Sequence, residues 1–352
     1  MPTSKRPAAP AKRRPAPEML KRLAQANKEA ARNFQADQQQ RAQAANILNP
    51  HEVAGEWDSA RVLYTTLGGA LRPITGADLK VFERNAKGIG KNFKGGITVK
   101  GIVDGSLQAD RDRANREIHS AIPHQTRKGD VHFLVDTGPK SKVIRRNVLI
   151  VFPTYDALMA SPVKAETAAL SMLNGPIKFD CDCERHRYWF RYIATIGKFN
   201  AGRAETGYPK IRNPNMVGVA CKHVLRAVMV LKSPLMRTRL KEMIEAGRAQ
   251  QDHISRRTKA ADARAMADKQ ASQTHYKRNQ LETSHEKRVR LAQQRGVEAV
   301  AMQAESRTAK IRKDPAALAK EMTRLNASLK KLHQMGALDA ATMQAMLARF
   351  SK

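Results

Sequence analysis

Long apolar runs are missing from this sequence. No uninterrupted stretch approaches the roughly 18 residues that a membrane-spanning helix needs, and no leader pattern opens the chain, so a soluble protein without a membrane span is expected. Cysteine is scarce, at 3 of 352 residues, and aromatics make up only 5%. Three thiols cannot all pair within one chain, and disulfide scaffolds use more cysteines in fewer residues. A reducing compartment is the expectation, which leaves metal binding or inert thiols. Acidic residues are also in deficit: 32 Asp and Glu stand against 64 Lys and Arg, a net charge of +32. A compact body with that excess repels itself unless a polyanion is near, so the first expected partner is nucleic acid. The motifs GxxxxGK[ST], GxGxxG, Gly-x-Ser-x-Gly and His-Glu-x-x-His are absent.

The pattern along the chain is uneven. "MPTSKRPAAPAKRRPAP" joins Pro, Ala and basic residues and reads as a disordered basic arm over 1–17. Strong helix formers follow from Glu18 to about Leu48. Between Glu56 and Gly175, "RVLYTTL", "GITVKGIV", "DVHFLVD" and "NVLIVF" read as strands, and "ADLKVFERNA", "DRDRANREIHSAI" and "AETAALSML" as helices. The Gly-rich stretch "KGIGKNFKGG" carries Lys87, Lys91 and Lys94. It is a candidate phosphate-holding loop, or a mobile basic turn.

Ser233-Pro234 is a helix start, and the chain turns helical almost to its end. Residues 250–313 are poor in large apolar groups, so a helix there cannot pack tightly. Beyond Leu235 the chain holds 25 Lys and Arg against 12 Asp and Glu. After Asp314-Pro315, the residues Leu318, Met322, Leu325, Leu329 and Leu332 repeat at steps of 4 and 3, an apolar seam that Gly336 ends. "LDAATMQAMLARF" then folds back as a helical hairpin, unless the seam joins a second chain.

The stretch "FDCDCERHRYWFRYIATI", residues 179–196, holds two of the thiols. If Ile177 to Cys183 is a strand, Cys181 and Cys183 point to one face. Far along the chain, "GVACKHVLRAVMVL" supplies Cys221 and His223. Both reach one ion only if Cys221 sits at or before a helix start and His223 lies in its first turn. A Cys3His set matches the closed tetrahedral shell of structural zinc, which leaves no open position for water activation. His186 is a rival fourth ligand, and buried inert thiols are the plain alternative.

The pattern C-x-C, a variable gap, then C-x-H at a helix start resembles the SWIM zinc-binding domain over about residues 176–231, with Cys181, Cys183, Cys221 and His223 filling its four ligand positions. The resemblance implies a small β-β-α module, held by Zn2+, that serves DNA binding or protein interaction. The fold class expected is α+β: a small mixed core domain with an embedded β-β-α zinc module, flanked by long basic helices. The domains expected are a basic arm over 1–17, an N-terminal helix over 18–50, an α+β domain over 51–175, the zinc module over 176–232 and a helical basic extension over 233–352.

If the segment after Cys183 is extended, Arg185, Arg187, Trp189 and Arg191 share one face, suited to phosphates and base stacking. A solvated edge with arginine stems covering Trp189 is the bland counterpart. The loop "NAGRAETGYPKIRNPNMVG" adds Arg203, Lys210 and Arg212 as candidate backbone contacts, with no base-reading code.

Asp104, Asp110, Asp112, Glu117, Asp130 and Asp136 are candidates for a two-metal nuclease site, but Asp110 and Asp112 lie among Arg111, Arg113 and Arg116 as a solvated helix face would. The expected function is therefore a non-enzymatic, zinc-stabilised structural protein that associates with nucleic acid, DNA being the expected form, without sequence preference, and with other proteins through the α+β domain and terminal helices. A DNA-processing enzyme, such as a nuclease or recombination factor, is the other class. The "NPN" and "GVACKHVLRA" segments after a C-x-C strand are similar to structural proteins of tailed bacteriophages that carry SWIM-like fingers. That likeness implies a virion setting beside a reducing cytoplasmic one.

Overall fold

The computed structural model describes residues 35, 47–53, 63–93, 95–139, 141, 143–249, 256–273, 280–311 and 313–350. The expected arm over 1–17, almost all of the expected helix over 18–50, and Lys94 lie outside the described residues. The fold is α+β, and its contacts divide the chain into two units: Met1–Phe82 with Thr206–Pro214, and Glu83–Glu205 with Asn215–Lys352.

In the first unit Leu48 is extended and exchanges backbone hydrogen bonds of 2.8 Å with Tyr208 in both directions, so a helix continuous over 18–50 is excluded, and a separate short helix covers Pro50–Val53. Strands β1, Tyr64–Thr65, and β2, Arg72–Pro73, form a short hairpin whose turn includes Gly68 and Gly69 at positive φ. The Thr65 hydroxyl donates to the Lys210 carbonyl at 2.7 Å, and Phe82 stacks on Tyr208 at 4.3 Å between ring centroids. Helix α1, Gly76–Asn92, starts with half of a capping box, because Asp78 reaches back to accept from the Thr75 amide at 2.8 Å. The same carboxylate takes both arms of Arg72 at 2.7 Å.

The expected loop over 87–96 is mostly the end of this helix. Lys87 lies on it, exposed and paired with Glu83 one turn earlier at 2.6 Å. Isolated glycines at 88 and 90 weaken a helix without ending it when strong formers precede them.

The second unit is built on a six-stranded antiparallel sheet. Strand β3, Ile97–Thr98, is followed at once by α2, Val99–Gly105, because the Thr98 hydroxyl accepts from the Gly101 amide and caps the helix. The expected strand over 96–103 is thus two residues long. Helix α3, Gln108–Glu117, stops five residues earlier than its pattern suggests, and the residues beyond it form β4, Ala121–Arg127. β5, Asp130–Asp136, and β6, Arg145–Val151, match the expected strands.

Helices α4, Tyr155–Ala160, and α5, Ala165–Asn174, precede β7, Pro176–Cys181. After β7 the chain turns helical: a π turn at His186–Phe190 runs into α6, Arg191–Ile196. Next come α7, Lys222–Leu231, and α8, Pro234–Arg248, the latter capped by Ser233 as the sequence suggests. β8, Arg256–Arg257, closes the sheet, whose order is β3-β7-β6-β5-β4-β8.

Alternation sends Val131, Phe133 and Val135 of β5, Val148 and Ile150 of β6, and Ile177, Phe179 and Cys181 of β7 to one buried face. α7 packs against this face across β4 to β7, with α3 on its other side. Buried nearly all round, α7 must be apolar or paired at almost every position. Because β7 pairs with both β3 and β6, the C-x-C segment belongs to the main sheet. The expected β-β-α module is therefore not a body of its own: the end of β7, the turn after it and the start of α7 carry Cys181, Cys183, Cys221 and His223.

Helix α9, Ala260–Ala271, buries no side chain. α10, Ser284–Ile311, buries one, Ala304, and packs against α11, Pro315–Gln334, and α12, Ala340–Phe350. Ala304, Leu325, Leu329 and Leu338 form a small core, with Met322, Leu332, Val297 and Val300 around it. The apolar seam of α11 is thereby used within the chain, and Gly336, at φ 70°, makes the turn.

Two substitutions test these elements. Leu329→Ala is expected to cost the terminal bundle about 2–4 kcal/mol, read by denaturant unfolding, while Met302→Ala, at an exposed position, leaves the midpoint in place. Arg72 foremost, then the Thr75 amide and hydroxyl, hold the Asp78 carboxyl well below the usual carboxylate range despite its burial. A depressed folded value means the stabilisation is full above the unfolded pKa of about 3.9 and fades as pH falls toward the folded one. Asp78→Ala is expected to cost about 1 kcal/mol at neutral pH and progressively less in acid, checked by unfolding across pH.

Candidate metal centre

Cys181 is the last residue of β7, on the face that meets α7. The turn after it is pinned by Asp182, whose amide donates to the Asn147 carbonyl at 3.2 Å and whose carboxylate accepts from the Asn147 amide and side chain at 3.1 and 3.0 Å. Cys183 follows, and its sulfur receives the His186 amide at 3.3 Å, an N–H contact that favours thiolate. Cys221 is the extended residue before α7, at φ −82° and ψ 164°, and His223 lies in the first turn of that helix. This is the geometry that a C-x-H pair needs to meet one ion.

The four donor atoms lie within 4.8 Å of one another, and Cys181, Cys183, Cys221 and His223 are all buried. The His223 Nδ1 is 4.0 Å from the Cys181 sulfur and 4.0 Å from the Cys221 sulfur. A tetrahedral shell with metal–sulfur bonds of about 2.3 Å has edges of roughly 3.5–3.8 Å, so the group needs only a small contraction. Among the described residues this is the one cluster of three or more Cys, His, Asp and Glu with that convergence, and it could hold a metal ion.

The electrostatics fit the same reading. Burial pushes the Cys181 and Cys221 thiols up, whereas Cys183, accepting hydrogen bonds from both, is held low. A divalent cation is what would let all three ionise.

His186 does not join the cluster. Its ring turns to Asp180, with Nε2 at 3.0 Å from Oδ1, and Arg191 Nη2 approaches the same oxygen at 3.4 Å. Burial opposes the charge of Asp180, but the His186 and Arg191 contacts outweigh it and lower its carboxyl.

The expected cationic face does not form, because residues 186–196 are helical. A helix puts His186, Phe190, Ile193 and Ala194 on its buried side and takes Arg191 in with them. Alternating basic and aromatic residues satisfy a strand period as well as a helix stripe, and the core chose the helix. Arg185 is committed to Asp110 by two hydrogen bonds of 2.5 and 2.7 Å and lies 3.9 Å above the Trp189 ring. Arg187 is half-buried, 5.9 Å from the Tyr188 ring. Lys210 is buried in the first unit. Arg203 is half-buried and Arg212 exposed. Lys91 is on α1, and its side chain lies outside the described part.

Nor do the acidic residues gather into one site. Asp110 takes Arg185, Glu117 takes Lys222 and Arg113, Asp104 takes Ser284, and Asp136 takes the Ser120 hydroxyl at 2.6 Å. The expectation of a solvated face around Asp110 fails, since Asp110 and Arg111 are buried. The i, i+4, i+7 spacing of Asp110, Ala114 and Glu117 was the available signal for that stripe.

Comparison of the chain with protein-family models, curated proteins and solved structures finds no match in any of the three.

Metal analysis of the purified chain is expected to give one divalent ion per molecule. Cys221→Ser should lose it, and His186→Ala should keep it. Retention by the first variant, or loss by the second, would show that a different ligand set operates.

Proposed function

We propose that this chain is a non-enzymatic, zinc-stabilised structural protein that associates with nucleic acid through its basic helices. The observation that carries the reading is the buried Cys3His cluster, whose sulfur-rich, closed donor set suits Zn2+ in a structural rather than a catalytic site. When bound, zinc would stabilise the thiolates and lock β7 to α7. Cys181, Cys183 and Cys221 would supply sulfur and His223 its Nδ1.

The net charge of +32 supports a polyanionic partner. Since the arginines around the metal centre are largely internal, the contact surface proposed is the C-terminal extension. Lys287, Arg288, Arg295 and Lys310 stand exposed along α10, a helix that buries almost nothing of itself. Such a surface meets phosphates and reads no bases, which favours binding without sequence preference. The C-x-C and C-x-H resemblance to SWIM domains and the long basic helices are both compatible with a virion protein that touches packaged DNA.

Binding to duplex DNA of unrelated sequences is expected with equal affinity, falling at least about 100-fold between roughly 50 and 200 mM salt. Replacing Lys287, Arg288 and Arg295 together by Gln should flatten that salt dependence. Affinity indifferent to salt, or metal-dependent cleavage of plasmid DNA by the wild-type chain, would defeat the proposal.

A further inference from the structure

Helix α3, "QADRDRANRE", is one of the most polar stretches of the second unit, yet it lies against its core. Asp110, Ala114 and Glu117 recur one and two turns apart and so form one stripe. Each is held by a residue close in sequence to a metal ligand. Asp110 takes the fork of Arg185, two residues after Cys183. Glu117 takes Lys222, which stands between Cys221 and His223. The Ala114 carbonyl accepts from Arg226, three residues after His223, at 2.9 Å. The chain also closes over the Glu117–Lys222 pair at Gly138, where an added Cβ would lie 2.6 Å from both charged groups.

The neighbouring stripe of α3 grips the start of α10. Arg111 pairs with Glu286 at 2.7 Å, and the Asn115 side-chain oxygen accepts from the Leu281 amide at 3.0 Å. From the end of α2, Asp104 accepts from the Ser284 amide and hydroxyl at 2.7 and 2.8 Å. Glu286 in turn accepts from the Thr283 amide at 2.7 Å, closing the first turn of α10.

The two ligand pairs come from segments about forty residues apart, so nothing local sets the distance between them. We propose that α3 is a positioning helix shared by two sites. Through Asp110 and Glu117 it spaces the Cys181/Cys183 pair against the Cys221/His223 pair, and through Arg111 and Asn115 it holds the root of the basic helix α10. Metal loading and docking of that root are therefore linked. This rests on the metal reading above and is independent of the nucleic-acid one. By reciprocity, a chain that favours the docked root also holds the ion more tightly.

The test uses the full chain loaded with zinc or cobalt. Release of the ion to excess chelator is expected to be about tenfold faster in Glu117→Gln and in Lys222→Gln than in wild type. The double variant should release no faster than either, because each change removes the same pair. Hydrogen exchange at the Leu281 and Ser284 amides is expected to quicken about tenfold on metal removal, while amides around Leu325 and Leu329 keep their rates. Glu286→Gln, far from the ligands, should also speed release. Wild-type release rates in both single variants would overturn the inference. So would exchange at 281–284 that ignores the metal, or that rises equally across sheet and bundle. A wild-type chain that takes up no ion would sink the metal reading and this inference with it.

Discussion

Three sulfurs and an imidazole buried at one point are the constraint around which the second unit is arranged. Thiols in an apolar interior resist ionisation, and the upward shifts at Cys181 and Cys221 express that resistance, while hydrogen bonds from the other two thiols hold Cys183 low. A cluster of this kind is stable only if it stays protonated or gains a cation. The geometry that lets it exist comes from both sides of the same layer: a sheet strand ending at Cys181 and a helix starting after Cys221, pressed together by the apolar face of β5, β6 and β7.

Around this point the protein uses charge where most cores use hydrocarbon. Asp110 with Arg185, Glu117 with Lys222, Arg111 with Glu286, and Asp180 with His186 and Arg191 are all partly or fully withdrawn from water. Buried pairs of this type add little net stability, because desolvation consumes most of the Coulombic gain. Removing one partner is costly, however, since it strands the other. What they supply is specificity of arrangement: α3 has one position against α7, and the fork of Arg185 on Asp110 fixes the angle of the knuckle that carries Cys183.

The C-terminal helices follow other rules. α10 has almost no core to join along its first half, and its order there comes from propensity and from the polar grip at its root. Only from Val297 onward does it gain apolar partners in α11 and α12. A long, exposed, basic helix tied to a compact body at one end and to a small bundle at the other can present charge to a large polyanion without burying much surface.

The grouping of Cys181, Cys183, Cys221 and His223, which could hold a metal ion, was legible in the chain itself, because C-x-C and C-x-H use every cysteine present. Period-2 strands at β5 and β6, the Ser233 cap, and the seam of α11 were legible for the same reason: each is a local pattern with a local cause. The segment 186–196 was not, since its alternation fits a strand and a helix alike, and only packing of Phe190 and Ile193 against the core decides between them. Nor was the fate of α3, whose charges read as solvated until Arg185, Lys222 and Arg226 arrive from residues that are remote in sequence. The sequence by itself determined which atoms can bind an ion and how much positive charge the chain carries. Tertiary structure alone decided which of those charges face water, because burial depends on partners that no local window contains.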